Sequence, residues 1–291
     1  MFRPKLLTII SASSVLLPSV AAGQSTDEAV LAQFQDLSES VVRIRTIADL
    51  EMERTDQSTG ETRTAVRPYS VDGSGVVIGR IEVDGRAEYL ILTNHHVADA
   101  SNYVLEDGGY LRVNPANTLE VPSVPEVSYV IEQPGDSIGE RDPALVEMVR
   151  RVRGDMTLMR TSGVTRELAV FEGQIGYREG EIEAGAPIVT SGYPWGGEQI
   201  IAAGTILETE YKHSLGLPHY DFVVDLPVKP GQSGGPIFLV EGDPSSPEGV
   251  RFRLIGLVHA KDGERNFAVR YDAWGESLNE FPADIQARLI R

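Results

Sequence analysis

The stretch that decides the fold is residues 225–238, DLPVKPGQSGGPIF, and its centre is Ser233. Gly231 precedes this serine, two glycines and a proline follow it, and apolar runs lie on either side. Short apolar runs bounded by Gly and Pro are typical of buried strands joined by a tight turn. The small neighbours let a carbonyl group approach, and the N–H groups of Gly231 and Ser233 can point at one spot as an oxyanion hole. The stretch therefore predicts a nucleophilic serine, which needs a base and an acid elsewhere.

The composition limits the classes of protein to be considered. The chain has 291 residues, of which 41% are hydrophobic, enough for one large domain or two coupled halves. It contains no cysteine, which excludes disulfides, a thiol nucleophile and cysteine-ligated zinc. The formal net charge of −17 argues against nucleic acid and anionic membrane surfaces as partners. Solubility alone is the preferred explanation of this charge.

Residues 1–22 have the pattern of a secretory signal peptide. Arg3 and Lys5 give a positive start, an apolar segment follows, and Val20-Ala21-Ala22 is a small-residue cleavage site. The apolar segment is too short and too rich in serine for a membrane span. We therefore expect export to a bacterial periplasm or to the exterior, which the lack of cysteine favours, with no stable membrane anchor once the signal is cleaved.

A candidate base follows the first clear hairpin of the sequence. Residues 73–79 predict a glycine-flanked strand, Asp84-Gly85 predicts a turn, and the returning strand runs into His95 and His96. A histidine just after a buried strand is well placed to act as a general base in a cleft. Alone, the two histidines could also lie in a surface turn or form half a metal site. No third ligand pattern accompanies them, so we expect no metal.

Three segments, in chain order, resemble the trypsin-like serine proteases of the HtrA (Deg) group. They are Thr93–Val97, Gly154–Met159 and Asp225–Pro236. The resemblance implies that His96 rather than His95 is the base, that Asp155 is the acid and that Ser233 is the nucleophile. Thr157 stands where this family usually has alanine. Each motif alone is weak, but the three together in the order His, Asp, Ser are specific.

The resemblance also implies the fold, an all-β protein of two six-stranded antiparallel β-barrels of the chymotrypsin (trypsin-like) type. We expect one protease domain over residues 23–291, with a first barrel at about 40–162 and a second at about 163–272. A C-terminal helix is expected at about 272–290. The family commonly carries peptide-binding PDZ domains after the protease domain, and we expect none within this sequence.

Further helices are predicted near the N-terminus and between the base and the acid. Ser25 or Thr26 caps an apolar pattern of helical period. Residues 99–153 are longer than the family usually has here. They predict an inserted helix with Asp142 as its N-cap and Pro143 as its first residue, which carries an apolar stripe and packs on its own barrel rather than on a partner. Residues 49–70 are polar and aperiodic, which predicts a mobile loop or a long hairpin tip.

The fold's primary specificity pocket is expected between the segment before the nucleophile and a strand near residue 260. No acidic residue stands where a preference for Lys or Arg would need one, so we expect a small or medium apolar preference, and Lys261 leaves open an acidic preference at a nearby subsite. His259 can tune Asp155 or only pack, and packing is the preferred interpretation. The pocket candidates are Pro227, Val228, Val258, His259, Ala260 and Lys261.

The resemblance implies a serine endopeptidase that cleaves polypeptide substrates through an acyl-enzyme and needs no cofactor. A catalytically silent or latent binding protein on the same fold is the alternative. A hydrolase of another acyl substrate, such as an esterase, is disfavoured because the chain has neither a G-x-S-x-G elbow nor the order Ser, Asp, His. Trimers are common in the family, so homo-oligomerisation is open.

Overall fold

The computed structural model describes residues 24–55, 58–98, 103–106, 109–112, 127–136, 145–151, 155–162, 164, 167–212, 221–243, 249–262, 264–271 and 282–290. Its strands are β1 (Val41–Thr55), β2 (Thr62–Val83), β3 (Arg86–Asn94), β4 (Tyr103–Glu106), β5 (Gly109–Arg112), β6 (Val127–Glu132), β7 (Leu145–Arg151), β8 (Met156–Ser162), β9 (Pro187–Gly192), β10 (Ile200–Tyr211), β11 (Asp221–Val224), β12 (Pro236–Gly242), β13 (Val250–Asp262) and β14 (Arg265–Arg270). The helices are α1 (Gln24–Phe34), α2 (His95–Ala98) and α3 (Ala283–Gln286), and 3-10 turns lie at Leu37–Ser40 and Pro194–Gly196. Within these ranges, no helix has the length and apolar character that crossing a bilayer requires.

Twelve of the fourteen described strands form two six-stranded antiparallel units, as the sequence predicts, and β4 and β5 pair with each other in a separate two-stranded sheet. The first is a sheet of order β6-β1-β2-β3-β8-β7, and the second is a closed barrel of order β10-β11-β14-β13-β12-β9. In the part of the chain that the structure describes, the first sheet ends at β6 and β7 without pairing between them. The prediction of two six-stranded antiparallel units is therefore confirmed, and the second unit is a closed barrel.

Two hairpins in the first sheet follow directly from their sequences. β1 and β2 pair from Val41 and Val76 outward to Thr55 and Thr62, so residues 49–55 and 62–70 are the arms of a long hairpin. β2 and β3 are joined at Asp84 and Gly85, whose φ angles of 49° and 74° are both positive. A two-residue type I′ turn requires this geometry, which the Asp-Gly pair supplies.

The predicted inserted helix is wrong, because residues 145–151 form strand β7 paired with β8. The sequence LVEMVRR places apolar residues at a spacing that fits a helix, but its valines favour a strand. The pairing with β8 shifts register between Val146 and Met148, and such an irregularity breaks the alternation expected of a strand. The proposed N-cap, Asp142, lies outside the described residues.

The two chain ends pack on the barrel. α1 confirms the N-terminal helix, and its Phe34 ring lies 5.5 Å from the ring of Phe238 and 5.1 Å from that of Phe252, measured between centroids. At the other end only the single turn α3 is helical, with Ile285 fully buried, and Leu289 then bridges to Ile175. The predicted C-terminal helix is thus shorter over residues 282–290, and its part at 272–281 lies outside the described residues.

Candidate active site

His96 and Asp155 are held together by two hydrogen bonds. The Asp155 carboxylate accepts the backbone N–H of His96 at 2.9 Å through Oδ1, and its Oδ2 lies 2.5 Å from His96 Nδ1. The two residues are 59 positions apart, but β3 pairs with β8 and places Asn94 opposite Met156. Because α2 directly follows β3 and Asp155 directly precedes β8, the pairing brings base and acid together.

The backbone of Asp155 is held by hydrogen bonds from the two residues that precede His96. Its carbonyl oxygen accepts the N–H of His95 at 3.0 Å and the side-chain amide of Asn94 at 2.9 Å. The ring of His95 turns to the Thr157 hydroxyl, at 3.0 Å from Nδ1. The two histidines are therefore different: His96 faces Asp155, and Thr157 is the partner of His95.

The environment of Asp155 keeps its carboxyl ionised. Burial favours the neutral acid, but the charge of His96 and the hydrogen bonds from His259 and His96 outweigh it and hold the pKa of Asp155 well below its usual range. A carboxylate that stays charged can fix the imidazole tautomer and stabilise the imidazolium that forms during proton transfer.

Ser233 lies half-buried on the turn that precedes β12. Its hydroxyl donates to the carbonyl oxygen of His259 at 3.4 Å, and its own carbonyl oxygen accepts the N–H of Ser74 at 2.7 Å. Among the described residues Ser233 and His96 share no hydrogen bond, since the serine hydroxyl is directed to β13. Hydrogen bonds of this kind are often long in unliganded enzymes and tighten when substrate binds.

The backbone around Ser233 has the form that an oxyanion hole needs. Gly231 has φ of +91°, and a Cβ there would overlap the carbonyl oxygen of Tyr193 and the backbone nitrogen of Trp195. Gln232 closes the turn through its N–H to the Lys229 carbonyl at 3.1 Å. Within the described ranges, the N–H groups of Gly231 and Ser233 donate to no other residue. Both are therefore available to a bound oxyanion.

His259 does more than pack, so the preferred interpretation from the sequence is wrong. Its Nε2 lies 3.1 Å from Asp155 Oδ2, and its Nδ1 lies 3.4 Å from Asp221 Oδ2. Burial lowers the pKa of this imidazole, but the hydrogen bonds and charges of Asp155 and Asp221 outweigh it and raise the pKa to about 9. The side chain is therefore a buried histidine held between two carboxylates beside the candidate triad.

The other expected pocket residues divide by exposure. Val228 and Val258 are buried, whereas Pro227 and Lys261 are exposed. The side chain of Ala260 lies outside the described part of the chain. Their role in specificity stays a prediction. In the described ranges, no cluster of three or more His, Cys, Asp or Glu residues is arranged to hold a metal ion.

Sequence reasoning missed residues that support the candidate triad and the segment of Ser233 from other strands. Asp221 stands at the start of an apolar strand, where an acid ordinarily suggests exposure, yet it is 1% exposed. The Ser74 hydroxyl donates to the Gly231 carbonyl at 2.9 Å and accepts the N–H of Tyr193 at 3.0 Å. These contacts span between 119 and 157 positions of the chain. No local pattern signals them.

A buried ion pair supports the turn at Pro194–Gly196, which contacts the segment that precedes Ser233. Arg43 on β1 pairs with Glu132 on β6 and also donates to the Gly196 carbonyl, and the side chains of this pair are only 2% and 3% exposed. The turn presents Trp195, which is 71% exposed with φ of 57°, and its N–H donates to the Pro230 carbonyl at 2.6 Å. The first sheet thus helps to hold the segment that carries Ser233.

Gly234→Ala is expected to destabilise the fold by on the order of 3 kcal/mol. Gly234 has φ of +83°, and a Cβ there would overlap the carbonyl oxygen of Ser74 and the hydroxyl of Thr93, which are fixed to each other by a 2.6 Å hydrogen bond within the first sheet. The matched control is Gly180→Ala, at φ of +76° with open space around it, for which we expect about 1 kcal/mol. Urea unfolding midpoints measure both, and equal losses would contradict the proposed close approach.

The fold and this site define a class, the chymotrypsin-like serine hydrolases. The sequence matches the family of the trypsin-like peptidase domain over residues 73–244, more than half of the chain. The chain therefore belongs to the family of the trypsin-like peptidase domain. No curated protein sequence matches it.

Solved structures resemble the whole fold at low sequence identity. An HtrA-type protease, AlgW, with a decapeptide has a TM-score of 0.52 and 15% identity, and the match covers 82% of this chain and 62% of that one. This chain thus spans less than two thirds of the AlgW structure. Deg5 has a TM-score of 0.49 and 17% identity, and the match covers 91% of this chain and 97% of that one. The active form of the Rv3671c protease of M. tuberculosis has a TM-score of 0.48 and 17% identity. The match covers 96% of this chain and 93% of that one.

Proposed function

We propose that this chain is an exported serine endopeptidase in which Ser233, His96 and Asp155 form the catalytic triad. The observation that carries the proposal is the two-point attachment of His96 to Asp155, through its ring at 2.5 Å and its backbone N–H at 2.9 Å. This arrangement leaves Nε2 as the accepting nitrogen of a neutral imidazole. A general base needs that tautomer and a fixed ring plane.

In the proposed reaction, Ser233 attacks the carbonyl carbon of a peptide bond while His96 takes the hydroxyl proton. The N–H groups of Gly231 and Ser233 bind the oxyanion of the tetrahedral intermediate. His96 then protonates the leaving amine, and Asp155 stabilises the imidazolium in between. Water, activated by His96, hydrolyses the acyl-enzyme and releases the second product.

A latent resting form is the second candidate, because one observation favours it. The hydroxyl of Ser233 donates to the carbonyl oxygen of His259 rather than to His96. Such a serine is not activated until its hydroxyl rotates toward the base. The two candidates differ in whether the free protein reacts with a small electrophile that needs no binding energy from a peptide.

Labelling by a fluorophosphonate, with casein digestion in parallel, tests the proposal. An active endopeptidase is expected to be labelled on the peptide that contains Ser233 and to cleave unfolded casein, whereas Ser233→Ala is expected to do neither. Labelling without cleavage would indicate a narrow substrate or an esterase. Absence of both would favour the latent form.

Export is proposed from the signal-like pattern of residues 1–22, which lie outside the described residues. If the proposal is right, protein recovered from the periplasm or medium of a bacterial host begins near Gly23. N-terminal sequencing or intact mass measures this directly. A full-length chain retained in the cytoplasm would contradict it.

A further inference from the structure

Two buried side chains continue the candidate triad beyond Asp155 and form a row with it: His259 and Asp221. His259 lies between the two carboxylates, with Nε2 at 3.1 Å from Asp155 and Nδ1 at 3.4 Å from Asp221. The His259 and Asp221 side chains are 3% and 1% exposed. The strand order explains the arrangement, because β11 and β13 both flank β14, with Asp221 and Leu257 each opposite Val269.

We propose that Asp221 and His259 form a positioning pair for the triad, in which a doubly protonated His259 holds the Asp155 carboxylate in place, and that loss of its proton lowers activity at alkaline pH. The proposal rests on the function proposed above for Ser233, His96 and Asp155. It gives His259 a role without contact to substrate.

The geometry requires two protons on the imidazole. Each ring nitrogen of His259 faces a carboxylate oxygen, and a carboxylate can only accept hydrogen bonds. A neutral imidazole has one N–H, so one nitrogen lone pair would face a buried negative oxygen, which is costly away from water. The raised pKa of His259, about 9, agrees with this reasoning.

The charged groups that face His259 come from three elements. Asp155 precedes β8, Asp221 lies on β11, and His96 lies on α2 with its ring centroid 6.2 Å from that of His259. The positive charge of His259 offsets part of the negative charge that His96 experiences from Asp155.

His259 also contacts the nucleophile through its backbone. Its carbonyl oxygen accepts the Ser233 hydroxyl at 3.4 Å, while its side chain holds the acid. Repulsion between His259 and the carboxylate of Asp155 or Asp221 would displace His259, and with it both Asp155 and Ser233. A misplacement of about 1 Å can cost on the order of 100-fold in rate.

The test compares the pH profiles of kcat/KM for the wild-type protein, His259→Gln and Asp221→Asn on one peptide substrate between pH 5 and 11. The wild type is expected to lose activity above about pH 9, following deprotonation of His259. In His259→Gln the amide donates at every pH, so this alkaline limb disappears and kcat falls about 10- to 100-fold. In Asp221→Asn the limb moves to lower pH, because His259 loses a negative partner.

His95→Gln is the matched control, because His95 directly precedes His96 and its Nδ1 faces the Thr157 hydroxyl at 3.0 Å. It is expected to keep the alkaline limb. An alkaline limb that is unchanged in His259→Gln would overturn the proposal, and so would one that disappears in the control.

NMR titration of the histidine ring protons in the wild-type protein gives a second readout that needs no variant to fold and no catalysis. One histidine should stay protonated up to about pH 9 and should be the one absent from His259→Gln. A His259 that titrates near 6.5 would overturn the positioning pair. A His259 that titrates near 9 in a protein inactive at every pH would instead count against the proposed function alone.

Discussion

Ser233→Ala is expected to lower the turnover of a polypeptide substrate about 10⁶-fold. Alanine has no hydroxyl to attack the peptide carbonyl, so no acyl-enzyme can form, and His96 and Asp155 then have no proton to transfer. The fold should persist, since the serine hydroxyl makes only the 3.4 Å hydrogen bond to the His259 carbonyl in the described structure. The residual rate over water would come from the oxyanion hole and from substrate binding.

Steady-state cleavage of a fluorogenic peptide, with the active sites counted by fluorophosphonate titration, measures this loss. Ser70→Ala is the matched control, because Ser70 is an exposed serine on β2 and should leave kcat unchanged. Circular dichroism checks that both variants fold. Retention of more than a hundredth of the wild-type kcat in Ser233→Ala would mean that another residue is the nucleophile.

The parts of the fold that the sequence predicts are those set by local backbone chemistry. The Asp84-Gly85 pair specifies a type I′ turn because both residues tolerate positive φ. Gly231 and Gly234 likewise have positive φ around Ser233. The prediction of a helix at β7 was wrong because a contact between strands, rather than local backbone chemistry, decides the structure there. Its apolar spacing fits a helix, and only the pairing with β8, a contact between strands, selects the extended form.

The residues of the candidate site likewise divide into those that local motifs predict and those that only the paired strands bring together. His96, Asp155 and Ser233 could be predicted because each lies at the end of a strand in a recognisable motif. His259 stood in an apolar run where packing is the ordinary expectation, and its partner Asp221 is 38 positions away. The two meet only after β11, β14 and β13 have paired in the barrel. A single sequence contains no pattern for such a contact, although a buried histidine in a cleft strand was a signal.

Asp155→Asn is expected to lower kcat about 10⁴-fold, and the pattern of donors around the carboxylate explains why. Asp155 accepts from the backbone N–H of His96, and its Oδ2 faces Nδ1 of His96 and Nε2 of His259. Asparagine offers one oxygen and one NH₂ group. If the NH₂ faces the ring of His96, the imidazole must take the wrong tautomer. If it faces the backbone, two N–H groups oppose one another in a buried site.

Single-turnover acylation by an activated peptide ester separates this effect from substrate binding, because it measures the step in which His96 takes the serine proton. We expect the acylation rate to fall in Asp155→Asn with little change in KM, since no pocket residue is altered. Asp225→Asn, an exposed acid at the start of the nucleophile segment, is the matched control and should acylate normally. An Asp155→Asn rate within tenfold of the wild type would show that the tautomer of His96 is fixed by another group. The two-point attachment would then be structural.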